Sequence, residues 1–373
     1  FARFDITPGG CSALDDYRNE ASTYGYIVEI DPHDPASRAV KRTALGRFRH
    51  EGCWPGRVEA GKPVVFYSGD DAQHEYLYKF VSAAPWDPAD ANPLDRLATG
   101  AKYMDRGTLY VARFNDDGAG DWLPLTPDSL TPEGIPLGAL FGDLPGILLN
   151  TRGAADALGA TPMDRPEWTA VNPLNGDVYL TLTNNSGRTE PNAANPWVQN
   201  RHGHIIRWHD SDDQRTFVWD IFVFGAHAGA DPALNRSGLT ELNQFASPDG
   251  MAFDSRGVLW IQTDNGEKSL TEYTNDQMLA VIPANLVDQR NRQVPLNVQT
   301  QGELRRFLVG PNGCEVTGLA FTPDNRTMFV NIQHPANWPY TDDATQAAPA
   351  GTQVRPRAAT VVIQRIDGRE LAV

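Results

Sequence analysis

Cysteine is scarce in this chain of 373 residues, which contains only Cys11, Cys53 and Cys314. An odd and sparse set of this kind excludes a disulfide framework. Long apolar runs are also missing, because no segment reaches the roughly 18 consecutive apolar residues that a membrane-spanning helix needs. No signal peptide is visible. The excess of acidic residues, a net charge of −15, argues against nucleic acid or an anionic membrane as a partner.

Several motifs of common enzyme classes are absent as well. The chain has no Gly-x-x-x-x-Gly-Lys-Ser/Thr phosphate loop, no Gly-x-Ser-x-Gly elbow and no Cys-x-x-Cys pair. Nothing in it suggests a nicotinamide or flavin cofactor. These absences exclude the simplest nucleotide-binding, serine-hydrolase and thiol-redox functions.

Short alternating segments bounded by Gly, Pro, Asn and Asp are present in number, and they predict β-strands. The predicted strands outside the repeated units described next cover residues 24–32, 40–48, 76–81, 108–114, 205–208, 216–224, 277–282, 303–309 and 360–366. Residues 116–163 differ, because they predict a loop followed by short helical or irregular insertions. We therefore expect an all-β fold with one inserted region.

Four units of the sequence share one plan: a polar opener, an apolar strand, a turn, a second strand and a polar closer. The openers are Glu51, Glu167, Asp249 and Glu315, and the closers are residues 68–71, 183–185, 263–265 and 331–334. Repeated units of this kind predict a β-propeller, here one domain over residues 1–373 with an insertion at 116–163. A β-sandwich is the rival architecture, but it would not repeat an opener and a closer at one end of each unit.

The first strand of each propeller blade lines the central channel, so the four openers should converge at one mouth. Oxygen-rich, acidic sites suit hard cations such as Ca²⁺, Mg²⁺ or Mn²⁺. Glu is a poor turn residue, which favours ligand roles for Glu167 and Glu315, whereas Asp249 in Ser-Pro-Asp-Gly is also a common turn former.

Several polar neighbours of the openers belong to a second tier of candidates. Asp70, Asp71 and Asp264 could bind a cation or orient the residues that bind it. His50 and His334 could be ligands or hydrogen-bond donors, although most histidines in proteins serve neither role.

Arg165 lies two residues before Glu167. A guanidinium beside a cation cluster could bind an anion held by the cations, such as a phosphate, in a bidentate manner. A structural ion pair with one of the carboxylates explains it equally well. Cys314 is best explained as a small buried residue.

The same motifs resemble the PhoX-type alkaline phosphatases. They are residues 50–52, 67–71, 164–167, 247–250, 313–318 and 331–335, with supporting matches at 24–32 and 41–48. The resemblance implies a β-propeller of about six blades, of which four to five are recognisable here. It also implies a phosphomonoesterase, exported to the periplasm or the outside, whose site combines ferric iron with calcium. Glu51, Glu167, Asp249 and Glu315 would then be metal ligands, and Arg165 would hold the substrate phosphate.

The family also uses a cysteine ligand of iron in a segment rich in Gly, Pro, Trp and Glu. None of the three cysteines here stands in that context, so we expect the segment to precede Phe1 and the propeller to be incomplete at its N-terminus.

The sequence therefore favours a metal-dependent phosphatase that acts on small phosphate monoesters as a monomer. The alternatives are a non-catalytic calcium-binding propeller and a propeller lactonase or phosphotriesterase with one calcium. Metal stoichiometry separates the last of these from the phosphatase.

Overall fold

Antiparallel sheets dominate the computed structural model, which describes residues 10–11, 22–265, 272–343, 346, 348–355 and 357–372. The chain divides into two compact units. The first comprises residues 1–71, 76–113 and 121–161, and the second comprises residues 72–75, 114–120 and 162–373. The prediction of a single domain over residues 1–373 stays a prediction.

The first unit begins with two short strands and continues with a longer meander. Strands β1 (Val28–Glu29) and β2 (Val40–Lys41) pair with each other. The meander follows in the order β3 (His50–Pro55), β4 (Pro63–Asp70), β5 (Leu77–Pro85), β6 (Gly107–Phe114) and β7 (Ala119–Pro124). Helix α1 (Arg96–Met104) lies between β5 and β6.

The long strands predicted at 24–32 and 40–48 are wrong in length. A 3₁₀ turn, Thr43–Leu45, ends the second of them. The turn shortens the ladder to two residues in each strand, and the guanidinium of buried Arg42 holds the segment in place by binding the carboxylates of Glu29 and Asp105. Residues His50–Pro55, which contain the opener Glu51, form a strand of their own.

The predicted insertion contains three short helices, α2 (Leu137–Phe141), α3 (Leu144–Leu149) and α4 (Thr151–Ala157). They share a hydrophobic core with β5 and β6, in which Tyr78, Val111 and Ile147 are buried. Residues 116–118 form a turn, as predicted, but strand β7 begins at Ala119, within the segment that the sequence predicts as a loop.

Three meanders form the second unit. The first has the order β8 (Pro166–Val171), β9 (Val178–Leu182), β10 (His204–Asp210) and β11 (Thr216–Phe224). The second comprises β12 (Pro248–Phe253), β13 (Leu259–Thr263), β14 (Gln277–Val281) and β15 (Arg305–Val309). The third comprises β16 (Glu315–Phe321), β17 (Thr327–Gln333) and β18 (Ala359–Gln364). Up-and-down sheets of this kind are the blades of propeller folds.

A β-bulge interrupts the pairing of the first strand in each meander. The register shifts between Glu51 and Trp54 in β3, between Pro166 and Thr169 in β8, and between Pro248 and Met251 in β12. In β16 the shift lies between Thr317 and Leu319. Bulges re-aim side chains at the rims of sheets and are frequent beside functional sites. Each candidate opener lies inside its bulge or within a few residues of it.

Hydrophobic residues between neighbouring sheets of the second unit hold those sheets together. Tyr179, Phe222 and Met251 belong to one buried cluster, and Trp260 and Val316 belong to another. Among the described residues, no helix is long and apolar enough to cross a membrane.

Candidate metal centre

Glu167 and Asp249 are brought together by the first strands of two successive sheets. Each lies inside the bulge of its strand. A carboxylate oxygen of Glu167 lies within 4.8 Å of a carboxylate oxygen of Asp249. Both are buried, with 2% and 6% of their surface exposed. Two buried carboxylates at this distance repel each other unless a cation or a proton compensates them.

Arg165 supplies part of that compensation, because its guanidinium donates to Glu167 Oε1 at 2.7 Å. The sequence offered two explanations of Arg165, a structural ion pair and binding of phosphate, and this contact is the ion pair. Guanidinium has five N–H donors, so the contact with Glu167 is compatible with binding an anion through others.

Backbone strain accompanies both acidic positions. Arg165 and Ser247, each directly before a proline, have φ angles of +55° and +51°, in the left-handed region that is uncommon for residues other than glycine. Their carbonyl groups accept hydrogen bonds from the N–H groups of Thr183 (3.2 Å) and Asp264 (3.0 Å). Strained residues held in place in this way cluster at functional sites.

A second acidic group consists of Asp264, Glu315 and His334, whose ligand atoms lie within 4.8 Å of one another. Glu315 pairs with Gln333 across β16 and β17, and its Oε2 accepts from the Gln333 amide and lies 3.3 Å from His334 Nε2. Burial, together with the charge of Asp264, raises the pKa of Glu315. A bound cation would reverse this destabilisation of the carboxylate.

His334 is the exposed member of this group. Partial burial opposes its protonation, but a hydrogen bond to the Gly313 carbonyl and the nearby Glu315 carboxylate raise the pKa of His334. Its imidazole is therefore held beside Glu315 as a donor, with Nδ1 3.1 Å from the Gly313 carbonyl oxygen.

Two further polar residues border the second group, and the sequence did not single them out. Burial raises the pKa of Asp276 to about 7, although Thr263 and the Asn265 backbone donate hydrogen bonds to it. Asn265 is buried, and neither of its amide atoms has a hydrogen-bond partner within the described part of the chain. An amide oxygen of this kind is a suitable ligand for a hard cation.

In the first unit, Glu51 occupies β3 opposite Gly69. Its neighbour His50 is fixed by the protein, with Nδ1 2.9 Å from Ser68 Oγ and Nε2 3.1 Å from the Gly46 carbonyl. Burial lowers the pKa of His50 to about 4. With both nitrogens engaged, this neutral imidazole supports the strand and has no lone pair directed elsewhere.

Asp70 is also held by the protein. It is fully buried, and Arg152 Nε donates to its Oδ2 at 2.7 Å while a second guanidinium nitrogen donates to Oδ1. Asp71, the next residue, donates its backbone N–H to the Arg49 carbonyl at 3.0 Å. Among the second-tier candidates, Asp264 and His334 have ligand atoms within 4.8 Å of those of the predicted ligand Glu315.

Cys314 is buried, and burial raises the pKa of its thiol to about 12, so it is a neutral core residue as expected.

The sequence could not reveal Asn265 and Asp276 as neighbours of Glu315, because polar residues at strand ends are common. The one available signal was the closer at 263–265, of which Asn265 is the last residue.

These features define a class: a propeller-type, all-β protein with buried carboxylates and an arginine at the ends of its first strands. The structure of Pseudomonas fluorescens PhoX in complex with vanadate, a transition-state analogue, is similar to this chain. The identity is 39% and the TM-score 0.77, and the match covers 95% of this chain and 59% of that one. The predicted all-β propeller fold is thereby confirmed.

The profile of the family described as alkaline phosphatase PhoX matches residues 1–336. The chain belongs to this family, as its motifs predicted, and it spans about three fifths of the length of the PhoX structure that it matches.

Other similarities are remote. A gluconolactonase from Xanthomonas campestris is 15% identical with a TM-score of 0.27, and the match covers 78% of this chain and 67% of that one. PorZ of Porphyromonas gingivalis is 11% identical with a TM-score of 0.30, over 79% of this chain and 34% of that one. Neither carries an argument about function. No curated protein matches the chain significantly.

Proposed function

We propose that this protein is a metal-dependent phosphomonoesterase that hydrolyses small phosphate monoesters. The observation that carries the proposal is the arrangement of Arg165, Glu167 and Asp249 in a chain of the PhoX family. An arginine beside two buried carboxylates provides a place for cations and for an anion bound against them.

The residues fit a group of cations. We propose Glu167, Asp249 and Glu315 as ligands because they are buried carboxylates, and Glu51 because it adjoins the bulge of a first strand as they do. Asp264 and His334 would complete the surroundings of Glu315. Calcium and iron are the metals that the family implies.

When bound, such cations withdraw charge from the phosphoryl oxygens and favour attack at phosphorus. The protein's own groups bind and orient the ester. Arg165 would donate to two phosphoryl oxygens, while its hydrogen bond to Glu167 holds the guanidinium in place. Because Arg165 is fixed by its backbone as well as by Glu167, it would need little reorganisation as charge develops on those oxygens.

The decisive test is hydrolysis of p-nitrophenyl phosphate by the natural full-length protein at alkaline pH, with and without a chelator. We expect turnover that the chelator abolishes. Arg165→Ala should lower kcat/KM by about 10²- to 10³-fold, as is typical when a donor to the transition state is removed. Arg165→Lys should recover only part of this loss, because an ammonium group cannot bind two oxygens in the same planar way.

Absence of turnover in protein that elemental analysis shows to be loaded with metal would contradict the proposal. A single calcium per chain would instead favour a propeller lactonase or phosphotriesterase. We also propose that the protein acts outside the cytoplasm, as a monomer. Fractionation of the producing cells and light scattering of the purified protein test these two points.

A further inference from the structure

A buried polar residue lies opposite the bulge in the second strand of three sheets. In β4 this residue is Ser68, in β9 it is Thr181, and in β13 it is Gln262, each located between the two pairs that flank the register shift. All three are buried. A buried polar residue at the same place in three strands is unexpected, because the other buried residues of these strands are mostly apolar.

These residues hydrogen-bond to the backbone of bulges. Ser68 Oγ lies 2.7 Å from the Gly52 carbonyl oxygen, inside the bulge of its own sheet. Thr181 and Gln262 reach further, because they contact the bulge of the following sheet. Gln262 Nε2 donates to the Gly318 carbonyl at 3.1 Å.

Thr181 connects the two bulges that carry Glu167 and Asp249. Its Oγ1 accepts a hydrogen bond from the Trp168 N–H at 3.0 Å, and it donates to the Asp249 carbonyl at 2.7 Å. The Trp168 carbonyl lies 3.2 Å from the same oxygen. One hydroxyl group thus contacts the residue after Glu167 and the backbone of Asp249 itself.

This geometry bears on the spacing of the carboxylates. A bulged strand has lost part of its ladder, so the positions of its residues depend on other hydrogen bonds. Thr183 adds a bond from its Oγ1 to the Pro248 carbonyl at 2.9 Å, but that bond touches only the strand of Asp249. The hydroxyl of Thr181, in contrast, contacts both acid-bearing segments.

We propose that Thr181 is a positioning residue that sets the separation of Glu167 and Asp249 for binding of a cation. The inference rests on the proposed function in one respect, namely that these two carboxylates hold a cation. It does not require that Thr181 touch the cation or the substrate. Partners of ligands commonly change metal affinity by about 10- to 100-fold when they are replaced.

The experiment measures calcium affinity of the full-length, metal-depleted protein by titration calorimetry, well below its melting temperature. Glu167→Gln identifies the binding event that belongs to this site. Thr181→Val is nearly isosteric and removes the hydroxyl, and we expect it to weaken that event by about 10-fold or more. Thr181→Ser keeps the hydroxyl and should stay within about threefold of the wild type.

Thr169→Val is the matched control. Thr169 is a buried threonine on β8, and its hydroxyl has no hydrogen-bond partner in the part of the chain that the structure describes. Its replacement should leave calcium affinity unchanged. If Thr181→Val does not fold, Thr181→Cys replaces it, because a thiol has a similar volume and is a weak donor.

The outcomes separate the two proposals. Calcium binding that Glu167→Gln removes, but that the Thr181 variants leave unaltered, would overturn the positioning role while the metal centre stands. An equal loss in Thr181→Val and Thr169→Val would also overturn it, because the hydroxyl contacts would then be irrelevant. A wild-type protein that binds no calcium at this site would overturn the metal centre and, with it, the role of Thr181.

Discussion

Burial and pairing decide which carboxylates of this protein are available for chemistry. Asp70 and Glu167 both end up buried beside an arginine, yet Asp70 has both oxygens bound by Arg152, whereas Glu167 shares its surroundings with a second carboxylate. The sequence placed Asp70 in the second tier of candidates but could not reveal its partner, because Arg152 lies 82 residues from Asp70. Spacing along a strand predicts a residue's neighbours within its hairpin and gives no information on such distant partners.

Replacing Arg152 should expose the cost of burying Asp70. Arg152→Leu leaves a fully buried carboxylate without its cation, and we expect the free energy of unfolding to fall by about 3 kcal/mol, near the lower end for broken buried pairs. The lower end applies because 34% of the Arg152 side chain is exposed and water can partly replace it. Urea denaturation gives the value.

The exposed pair of Arg113 and Asp121 is the control for this measurement. Arg113→Leu should change stability by less than about 1 kcal/mol. Adding Asp70→Asn to Arg152→Leu should recover part of the loss. Equal effects of the two arginine replacements would show that burial of Asp70 is not what matters.

His204 should make stability depend on pH. Its ring is buried, accepts from Asn200 Nδ2 at 3.0 Å and donates from Nε2 to the Ala194 carbonyl at 2.7 Å. Burial lowers the pKa of His204 below the ordinary value of 6.5, so the unfolded chain takes up the proton first as the pH falls. Its contribution to stability is therefore complete above pH 6.5 and is lost as the pH falls toward the folded-state pKa.

Urea denaturation at pH about 7.5 and about 5.5 tests this sign. The wild type should lose about 1 kcal/mol more than His204→Gln over that interval, because glutamine does not titrate. The difference between the two proteins cancels the contribution of the carboxylates that both contain. A steeper loss in His204→Gln would contradict the prediction.

At the scale of the element, hairpins could be predicted and bulges could not. The openers and closers do meet at one end of each hairpin, as the pairing of Glu315 with Gln333 shows, because strand alternation and turn residues are local signals. A bulge depends on register against another strand, and one extra residue leaves no pattern in composition. The openers consequently occupy different positions, with Glu167 and Asp249 inside bulges and Glu315 in a regular pair.

Gly203, directly before β10, lies at a position where the backbone conformation and the close approach of a neighbouring segment favour glycine. Its φ is +70°, and an added Cβ would lie 2.3 Å from the Thr183 carbonyl oxygen and 2.4 Å from that of Leu182. Gly203→Ala should therefore destabilise the protein by about 3 kcal/mol or more, since backbone strain and a steric clash add together. Thermal unfolding followed by circular dichroism measures the change.

Gly134 provides the comparison, because its φ is +80° but nothing lies within 4 Å of an added Cβ. Gly134→Ala should cost only the strain of the left-handed conformation, about 1 kcal/mol. Similar losses at the two positions would mean that the close approach of β9 to Gly203 is unimportant.

At the scale of the whole molecule, repetition of the units was sufficient to predict the fold class, and the resemblance of their motifs to a known family was sufficient to predict the family. Repeats report architecture because each unit must bury the same faces against its neighbours. The grouping of the acidic residues was not predictable in the same way. In the second unit, Glu167 and Asp249 belong to one group, and Glu315 belongs to another with Asp264 and His334, although the sequence presented Glu167, Asp249 and Glu315 as equivalent openers.

Cation binding should stabilise the entire fold. A ligand that binds only the native state at about 100 times its Kd adds roughly 2.7 kcal/mol to the free energy of unfolding. We therefore expect calcium to raise the melting temperature of the full-length protein and a chelator to lower it. Glu315→Gln should reduce the effect of calcium, whereas a stability that is indifferent to calcium and to chelator would contradict a resident cation.

The contacts of Thr181 and Gln262 determine which segments of the chain could be exchanged between related propellers without loss of the site. Each side chain belongs to one sheet by sequence but shapes the first strand of the next sheet. An exchange of whole blades between related propellers would therefore separate an acidic residue from the group that places it. The transferable segment is staggered, running from the second strand of one sheet to the first strand of its successor, and recombination that respects that boundary should preserve the site where blade-by-blade recombination would not.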